Sequence, residues 1–369
     1  MQCPYIKNAV RINHDGNMVP CCSFKGESEY FVGTNTVDEY LESAWVNDLE
    51  TTLETGQYPK GCWECMKQEQ QGLKSIRQDN LSGFYVDIVV GNVCNSDCGM
   101  CGPERSSKIV SRLKHHPLPV GLVDPEDDRF LVYAGTDNTF KLNEMTGLSE
   151  LLNRATHVKL IGGEPFLVKE IWATLESLNK NVNLSIITNA STISDYQFDI
   201  LKQFKNLSIN VSTEGVGNHY EWVRYGLQWD VFSKNAIKLK TLTDKFALVS
   251  TVSALNITNV DMLARYGYEN GLFVDFWPIH DPKILSLPMV SRQIISETID
   301  KLQRLVPTNS YSIKALETFT AYVSTLVTNA PHATDSRTKQ YITYLNKTRG
   351  TGYYLDPENL EVKHGLPTS

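Results

Sequence analysis

Apolar positions along this chain follow two different periods. From residue 84 onward, short runs rich in β-branched and aromatic residues alternate with stretches whose apolar residues recur at helical spacing. The runs are Phe84 to Val90, His157 to Ile161, Leu184 to Thr188, Leu207 to Ser212, Phe246 to Ser253 and Phe273 to Ile279. Between them lie helical patterns at Val168 to Leu178, Asp195 to Phe204, Val231 to Leu242 and Val260 to Glu269. A parallel strand pair needs a crossover long enough to hold a helix, so this alternation predicts parallel βα units. The pattern suits an open or partial barrel, and a doubly wound sheet would show the same alternation.

Residues 1–80 read differently. Ala9 to Ile12 and Met18 to Cys21, on either side of His14-Asp15-Gly16-Asn17, predict a hairpin, and Val37 to about Leu53 predicts a helix. Pro117, Pro119 and Pro125, with Glu126-Asp127-Asp128, mark 115–145 as an inserted loop. Beyond Pro288 the pattern is helical to about Leu345, with no helix expected after Gly350. The expected division is a small amino-terminal domain (1–80), an α/β domain (81–285) and a mainly helical carboxyl-terminal extension (286–369).

Composition narrows the class of function. With 41% apolar and 21% charged residues, the chain is an ordinary globular one rather than a disordered tail. Lys and Arg number 35 against 42 Asp and Glu, a net charge of -7, so no general field attracts nucleic acid or anionic lipid. The longest uncharged stretch, Thr318 to Thr334, contains Pro331 and is too short for a membrane span. The first residues lack the apolar core of a secretory signal, and the expected location is the cytoplasm.

The eight cysteines change the picture most. They stand at 3, 21, 22, 62, 65, 94, 98 and 101, and none follows. In a reducing compartment thiols clustered like this point to metal ligation rather than disulfides. Cys94-Asn-Ser-Asp-Cys98-Gly-Met-Cys101 places three thiols on the segment after the first β run. A structural zinc site is closed by four ligands, which here would need distant His115 or His116. An iron-sulfur cube held by three thiolates leaves one iron open to a non-protein ligand.

The other group is Cys3, Cys21, Cys22, Cys62 and Cys65, five thiols for a four-ligand site. Adjacent side chains of an extended segment point to opposite faces, so Cys21 and Cys22 are not expected to ligate together. The Cys62-Trp-Glu-Cys65 knuckle is shared by zinc and iron-sulfur sites, and spacing does not choose between them.

In parallel α/β folds chemistry gathers where the strands end. The first run ends in the three cysteines and the second in Gly162-Gly163-Glu164-Pro165, where glycines permit close backbone approach and a carboxylate can receive an ammonium group. Later ends supply Thr188 and Asn189, then Ser212 and Glu214, then Ser253 and Asn256, then Trp277, His280 and Asp281. Arg224 offers a fork for a carboxylate, against the plainer reading of an ion pair. His280 and Asp281 are weighed as acid and base against solvated loop residues. Arg105, Lys108, Arg112, Lys114, His115 and His116 are weighed as a docking patch against a solvated helix face. Gly215-Val-Gly217 is no nucleotide fingerprint, because the full glycine motif is missing.

Taken together, the Cys-x3-Cys-x2-Cys loop and the Gly-Gly-Glu-Pro segment resemble the radical S-adenosylmethionine superfamily over roughly residues 84–280. The resemblance implies a partial (β/α)6 barrel, a [4Fe-4S] cluster on Cys94, Cys98 and Cys101, and S-adenosylmethionine on its open iron. It implies that Met100 covers the adenine side and that Gly162, Gly163 and Glu164 receive the methionine ammonium. Thr188, Ser212, Arg224 and Asn256 are carried over as further cofactor contacts.

The amino-terminal segment is similar to SPASM/twitch auxiliary-cluster modules in Cys3-x12-Gly16-x4-Cys21, Cys62-x2-Cys65, Pro20-Cys21-Cys22, Trp45 and Gly72-Leu-Lys-Ser75. That implies one auxiliary cluster, [4Fe-4S] or [2Fe-2S], on Cys3, Cys21, Cys62 and Cys65. Here the module precedes the barrel, whereas the better-known enzymes carry it afterwards. The implied partners are an electron donor such as a flavodoxin or ferredoxin, and a peptide or protein substrate, with a small molecule or nucleotide as the alternative. Rival classes are a non-catalytic iron-sulfur carrier or sensor and a zinc-stapled binding protein.

Overall fold

The computed structural model describes residues 2–70, 72, 74–124, 131, 145, 147–305, 310–350 and 352–365. Its strands, in chain order, are β1 (Ala9–Ile12), β2 (Met18–Val19), β3 (Tyr85–Val89), β4 (Asp97–Cys98), β5 (His157–Ile161), β6 (Asn183–Thr188), β7 (Asn206–Ser212), β8 (Arg224–Tyr225), β9 (Phe246–Val252), β10 (Val274–Pro278), β11 (Tyr353–Leu355) and β12 (Val362–His364). The chain divides into two compact units. One comprises Met1–Val93, Asp137–Ile187 and Ser194–Ser208; the other comprises Cys94–Thr136, Thr188–Ile193 and Ile209–Ser369. Most of the expected inserted loop lies outside the described residues.

In the first unit the strand order is β6-β5-β3-β1-β2, parallel except for the β1–β2 hairpin. The hairpin expected from the sequence extends this sheet, with Ala9 opposite Tyr85 and Ile12 opposite Ile88. Arg11 on β1 meets Asp87 on β3 at 2.6 Å, a buried ion pair that fixes the register of neighbouring strands. The helix expected over 37–53 is two helices, Val37–Leu41 and Ala44–Glu54. Ser43 breaks it: its hydroxyl accepts the Val46 N–H at 3.1 Å and caps the second helix.

In the second unit β7, β9 and β10 pair in parallel and in chain order. Two short antiparallel pairs accompany them, β4 with β8 and β11 with β12. The carboxyl-terminal region forms helices Arg292–Gln303, Ser310–Leu326 and Ser336–Thr348, as its periodicity predicted, while the β11–β12 hairpin had no signal in the pattern.

Two observations separate the barrel from the doubly wound alternative. Within each unit the parallel strands β3-β5-β6 and β7-β9-β10 follow chain order, without the reversal that makes a switch point. Burial along β5, β6, β7 and β9 alternates strictly: Leu160, Leu184, Val211 and Leu248 are buried, while Lys159, Ser185, Asn210 and Thr251 are partly open. A sheet covered on both faces would be apolar throughout. The fold is α/β of the partial-barrel type, built on the parallel strands β3, β5, β6, β7, β9 and β10, with β1 added in parallel beside β3. Among the described residues, no helix is long and apolar enough to cross a membrane.

Candidate metal centres and cofactor site

The three-cysteine loop belongs to the second unit. Its shape comes from short polar side chains. Ser106 caps helix Ser107–His115 and donates to the Ser96 carbonyl at 2.5 Å. Ser107 Oγ lies 3.3 Å from both the backbone N–H and the carbonyl of Cys94. The pairing of β4 with β8 sets Cys98 opposite Arg224, and Gly99 N–H donates to the Val223 carbonyl at 2.9 Å. A Cβ on Gly99 would come 2.6 Å from the tip of Leu255, which would have to move aside. Met100 is partly exposed beside it.

The thiols are close enough to act on one another. Burial, then the charges of Cys98, Glu104 and Cys94, push Cys101 well above an ordinary thiol. Burial also raises Cys98, against the pull of Arg224. Arg224 Nη1 is 3.7 Å from Cys98 Sγ, and Ser96 Oγ is 3.0 Å from the same sulfur. Asn189 Nδ2 lies 3.9 Å from Cys94 Sγ and donates to Asn95 at 3.1 Å.

Such a set becomes three thiolates only against strong positive charge, and the donor chemistry fits an iron-sulfur cluster. Among the described residues, no three His, Cys, Asp or Glu side chains are arranged around a single ion. Cluster thiolates bind separate irons and need no such common point. His115, one distant candidate for a fourth ligand, places Nδ1 2.8 Å from the Ser111 carbonyl oxygen.

The first unit holds the other cysteines. The turn Lys60–Cys62 and the helix Trp63–Gln70 set Cys62 and Cys65 one turn apart, on one side. Gly61 lies under the Phe24 ring, where a Cβ would come within 2.3 Å, and its carbonyl accepts from Lys25 at 2.8 Å. That contact joins the Cys21 segment to the Cys62 turn. Arg77 bridges Glu69 and the Gln2 carbonyl, the latter at 2.8 Å, joining the Cys3 segment to the Cys65 helix.

Burial pushes Cys62 up to about 12, helped by Cys3 and Cys65. Burial raises Cys21 further, with Cys22, Cys3 and Cys65 adding to it. Backbone N–H groups of Tyr5 and Ile6 are directed at Cys3, that of Ser23 at Cys21 and that of Arg77 at Cys65. Cys22 is exposed and stands apart from the Cys3–Cys62–Cys65 interactions. Four thiols brought together with amide donors on three of them again fit a cluster.

The Gly-Gly-Glu-Pro segment leaves β5 in the first unit. Its glycines serve a close approach to the segment after β3. A Cβ on Gly163 would lie 2.3 Å from the Val93 carbonyl oxygen, and one on Gly162, at φ 144°, 2.8 Å from that of Gly91. Glu164 is fully buried; its Oε1 accepts the Phe166 N–H at 3.0 Å and its own N–H donates to Val93 at 2.8 Å.

The remaining expected cofactor contacts have partners within the fold. Thr188 Oγ1 accepts from Ala190 N–H at 3.0 Å. Ser212 sits opposite Val249 in the β7–β9 register. Asn256 Oδ1 accepts from Ser253 N–H at 2.7 Å and from its hydroxyl at 3.1 Å, closing the turn after β9. The carboxylate that Arg224 grips is that of Glu214, the plainer of its two expected roles. His280 lies edge-on to Tyr322, and Trp277 is exposed.

Sequence reasoning missed Asp97 and Arg349. Asp97 is a buried carboxylate inside the cysteine loop; Arg112 Nε donates to it at 2.6 Å and Arg349 approaches at 3.5 Å. A charge amid buried thiols signals a partner, but nothing in the chain locates one 252 residues away.

No protein-family model matches the chain, and neither does any curated protein. Solved structures do. "Native anSMEcpe with bound AdoMet" matches with a TM-score of 0.40 and 16% identity, over 59% of this chain and 58% of that one. Streptococcus suis SuiB bound to precursor peptide SuiA gives 0.35 and 16%, over 74% and 58%. SuiB bound to S-adenosylmethionine gives 0.35 and 14%, over 72% and 58%. The chain thus spans under three fifths of each of these proteins. At such scores the likeness is weak, and a functional reading has to stand on the residues of the chain.

Proposed function

We propose that this chain is a radical S-adenosylmethionine enzyme with an auxiliary iron-sulfur module in its amino-terminal region, a partial barrel and a helical extension, divided near residues 80 and 285. The observation that carries the reading is the loop that gathers Cys94, Cys98 and Cys101, where Cys98 and Cys94 push the Cys101 thiol up and Arg224 Nη1 lies 3.7 Å from the buried Cys98 Sγ. The cluster, once loaded and reduced, would supply the electron for reductive cleavage of S-adenosylmethionine to methionine and a 5'-deoxyadenosyl radical, the species that would take hydrogen from a substrate.

The protein's own part is binding and orientation. Cys94, Cys98 and Cys101 would hold the cluster through three thiolates, with S-adenosylmethionine as its non-protein ligand. Glu164 receives the ammonium; its cap on Phe166 holds the carboxylate in one rotamer before the cofactor arrives. Gly162 and Gly163 bring that turn against the segment leading into Cys94. Met100, Thr188, Ser212 and Asn256 line the remaining cofactor surface, and Arg224, held by Glu214, faces the Cys98 sulfur. Cys3, Cys21, Cys62 and Cys65 hold the auxiliary cluster. The substrate class is a peptide or protein, and the electron donor an acidic one-electron carrier of the flavodoxin or ferredoxin kind.

The test is anaerobic reconstitution, iron and sulfide counts, and a search for 5'-deoxyadenosine under dithionite with candidate peptides. About eight irons, or about six with a [2Fe-2S] auxiliary cluster, and formation of the nucleoside are expected. A brown protein that makes no 5'-deoxyadenosine would be a carrier or sensor. A colourless one holding zinc without sulfide would be a stapled binding protein.

A further inference from the structure

Around the Cys98 corner of the loop, the second unit buries more positive charge than negative. Arg112, Arg224 and Arg349 are 8%, 7% and 3% exposed; the carboxylates against them are those of Asp97 and Glu214, 5% and 1% exposed. Three guanidiniums thus face two carboxylates. Each guanidinium has a carboxylate partner, yet the five groups together carry net positive charge, which favours an anion beside them.

Arg349, the residue after helix Ser336–Thr348, is the most enclosed of the three. Nη1 donates to the Trp222 carbonyl at 3.0 Å, Nη2 to the Asp97 carbonyl, and the plane lies over the Trp222 and Tyr225 rings at 5.5 and 5.6 Å. From the same helix, Tyr341 donates to the Gly99 carbonyl at 2.9 Å. Arg112 bridges Asp97 and Tyr344, with 2.6 Å to each. Backbone groups on both sides of Cys98, at Asp97 and at Gly99, are therefore held by side chains from one carboxyl-terminal helix and its end.

We propose that this carboxyl-terminal segment is part of the cluster site: Arg349 positions the Cys98 loop and, with Arg224, supplies the buried positive charge that makes the cluster easier to reduce. The inference rests on the reading of Cys94, Cys98 and Cys101 as cluster ligands. Arg349 is a positioning residue, since it reaches the sulfur through the Asp97 backbone and through its field.

The experiment uses the full chain, reconstituted anaerobically, and follows the electron paramagnetic resonance signal that changes when S-adenosylmethionine is added. Arg349→Gln keeps hydrogen-bond capacity and removes the charge. Its midpoint should fall by at least a factor of ten in the reduction equilibrium, about 59 mV for one electron, with iron content retained. Arg349→Lys should recover most of that shift. Tyr341→Phe should leave the midpoint in place and speed iron loss to a chelator several-fold.

A loaded Arg349→Gln protein with an unmoved midpoint overturns the proposal. If that variant does not load, Arg349→Lys and Tyr341→Phe decide by chelator kinetics, and release at the parent rate in both overturns it. The ligand assignment fails separately, through iron retained after Cys94, Cys98 and Cys101 are replaced together.

Discussion

The two cysteine groups solve one chemical problem in opposite ways. Cys94, Cys98 and Cys101 sit within a single short loop, whose neighbours Ser96, Ser106 and Ser107 already shape it. What that loop takes from distant residues is charge: Arg224 and Arg349. Cys3, Cys21, Cys62 and Cys65 come from three separate segments, and what they draw from their surroundings is mostly amide N–H groups. A local set carries its geometry with it and depends on the fold for electrostatics. A dispersed set exists only once the segments have met, so a metal bound there would share one equilibrium with folding.

Breaking the local set should have the largest effect. Replacing Cys94, Cys98 and Cys101 by Ala should remove about four irons and all 5'-deoxyadenosine formation, while the amino-terminal region keeps its protease resistance. Full iron content in that variant would sink the ligand assignment. Breaking the dispersed set should act on structure as well: Cys62→Ala or Cys65→Ala should lose the auxiliary iron and expose the first 80 residues to protease.

Glu164 sharpens the comparison, because the cofactor role proposed for it falls on a side chain that already caps Phe166. Glu164→Ala should load iron normally yet bind S-adenosylmethionine tens of times more weakly and lose about 1 kcal/mol of stability with the Phe166 cap. Glu164→Gln can still accept from Phe166, so it should recover the stability and only part of the affinity. Affinity equal to the parent's by titration calorimetry in both variants removes Glu164 from the site.

The paired cysteines test the dispersed set at finer grain. Cys21→Ala should lose the auxiliary iron and Cys22→Ala should keep it. Iron lost from Cys22→Ala and kept by Cys21→Ala exchanges their roles.

The smallest expected difference is in acid. Buried His219, held to the Leu255 carbonyl at 2.8 Å, has its pKa brought down by burial to about 4. Its folded value lies below the unfolded one, so the second unit should lose stability as pH falls from about 6.5 toward 4. In the first unit burial raises Glu69, but hydrogen bonds from Arg77, Ser75 and Tyr58 win and hold it at about 2. Its contribution is present above the usual carboxylate range and lost only as pH falls toward 2. Hydrogen exchange between pH 6.5 and 4.5 should loosen helix Asn218–Val223 before Trp63–Gln70; the reverse order would contradict both assignments.

Much of this was legible in the chain. Strand His157–Ile161 and helix Val260–Glu269 lie where their periodicity put them, because apolar alternation of period two and spacing near 3.6 report burial directly. Alternation turns Cys22 away from Cys21, and in the fold Cys22 is exposed while Cys21 is half-buried. The glycines at 162 and 163 read as room for a ligand, and in the fold a Cβ on either would also meet the backbone of Gly91 or Val93. That second demand is invisible to spacing, since a tight turn and a ligand cradle use the same residue. The Arg349–Asp97 contact was out of reach for another reason: a long-range ion pair has no period.

That contact has a consequence in time. Asp97 and Arg349 are separated by 252 residues, which a ribosome adds in about 13 to 50 seconds at ~5–20 residues per second. Through that interval the three thiols exist in the chain while the arginine that contacts their loop has not been made. Until the last helix is finished, the Asp97 and Gly99 carbonyls lack the Arg349 and Tyr341 hydrogen bonds that hold them in the completed fold.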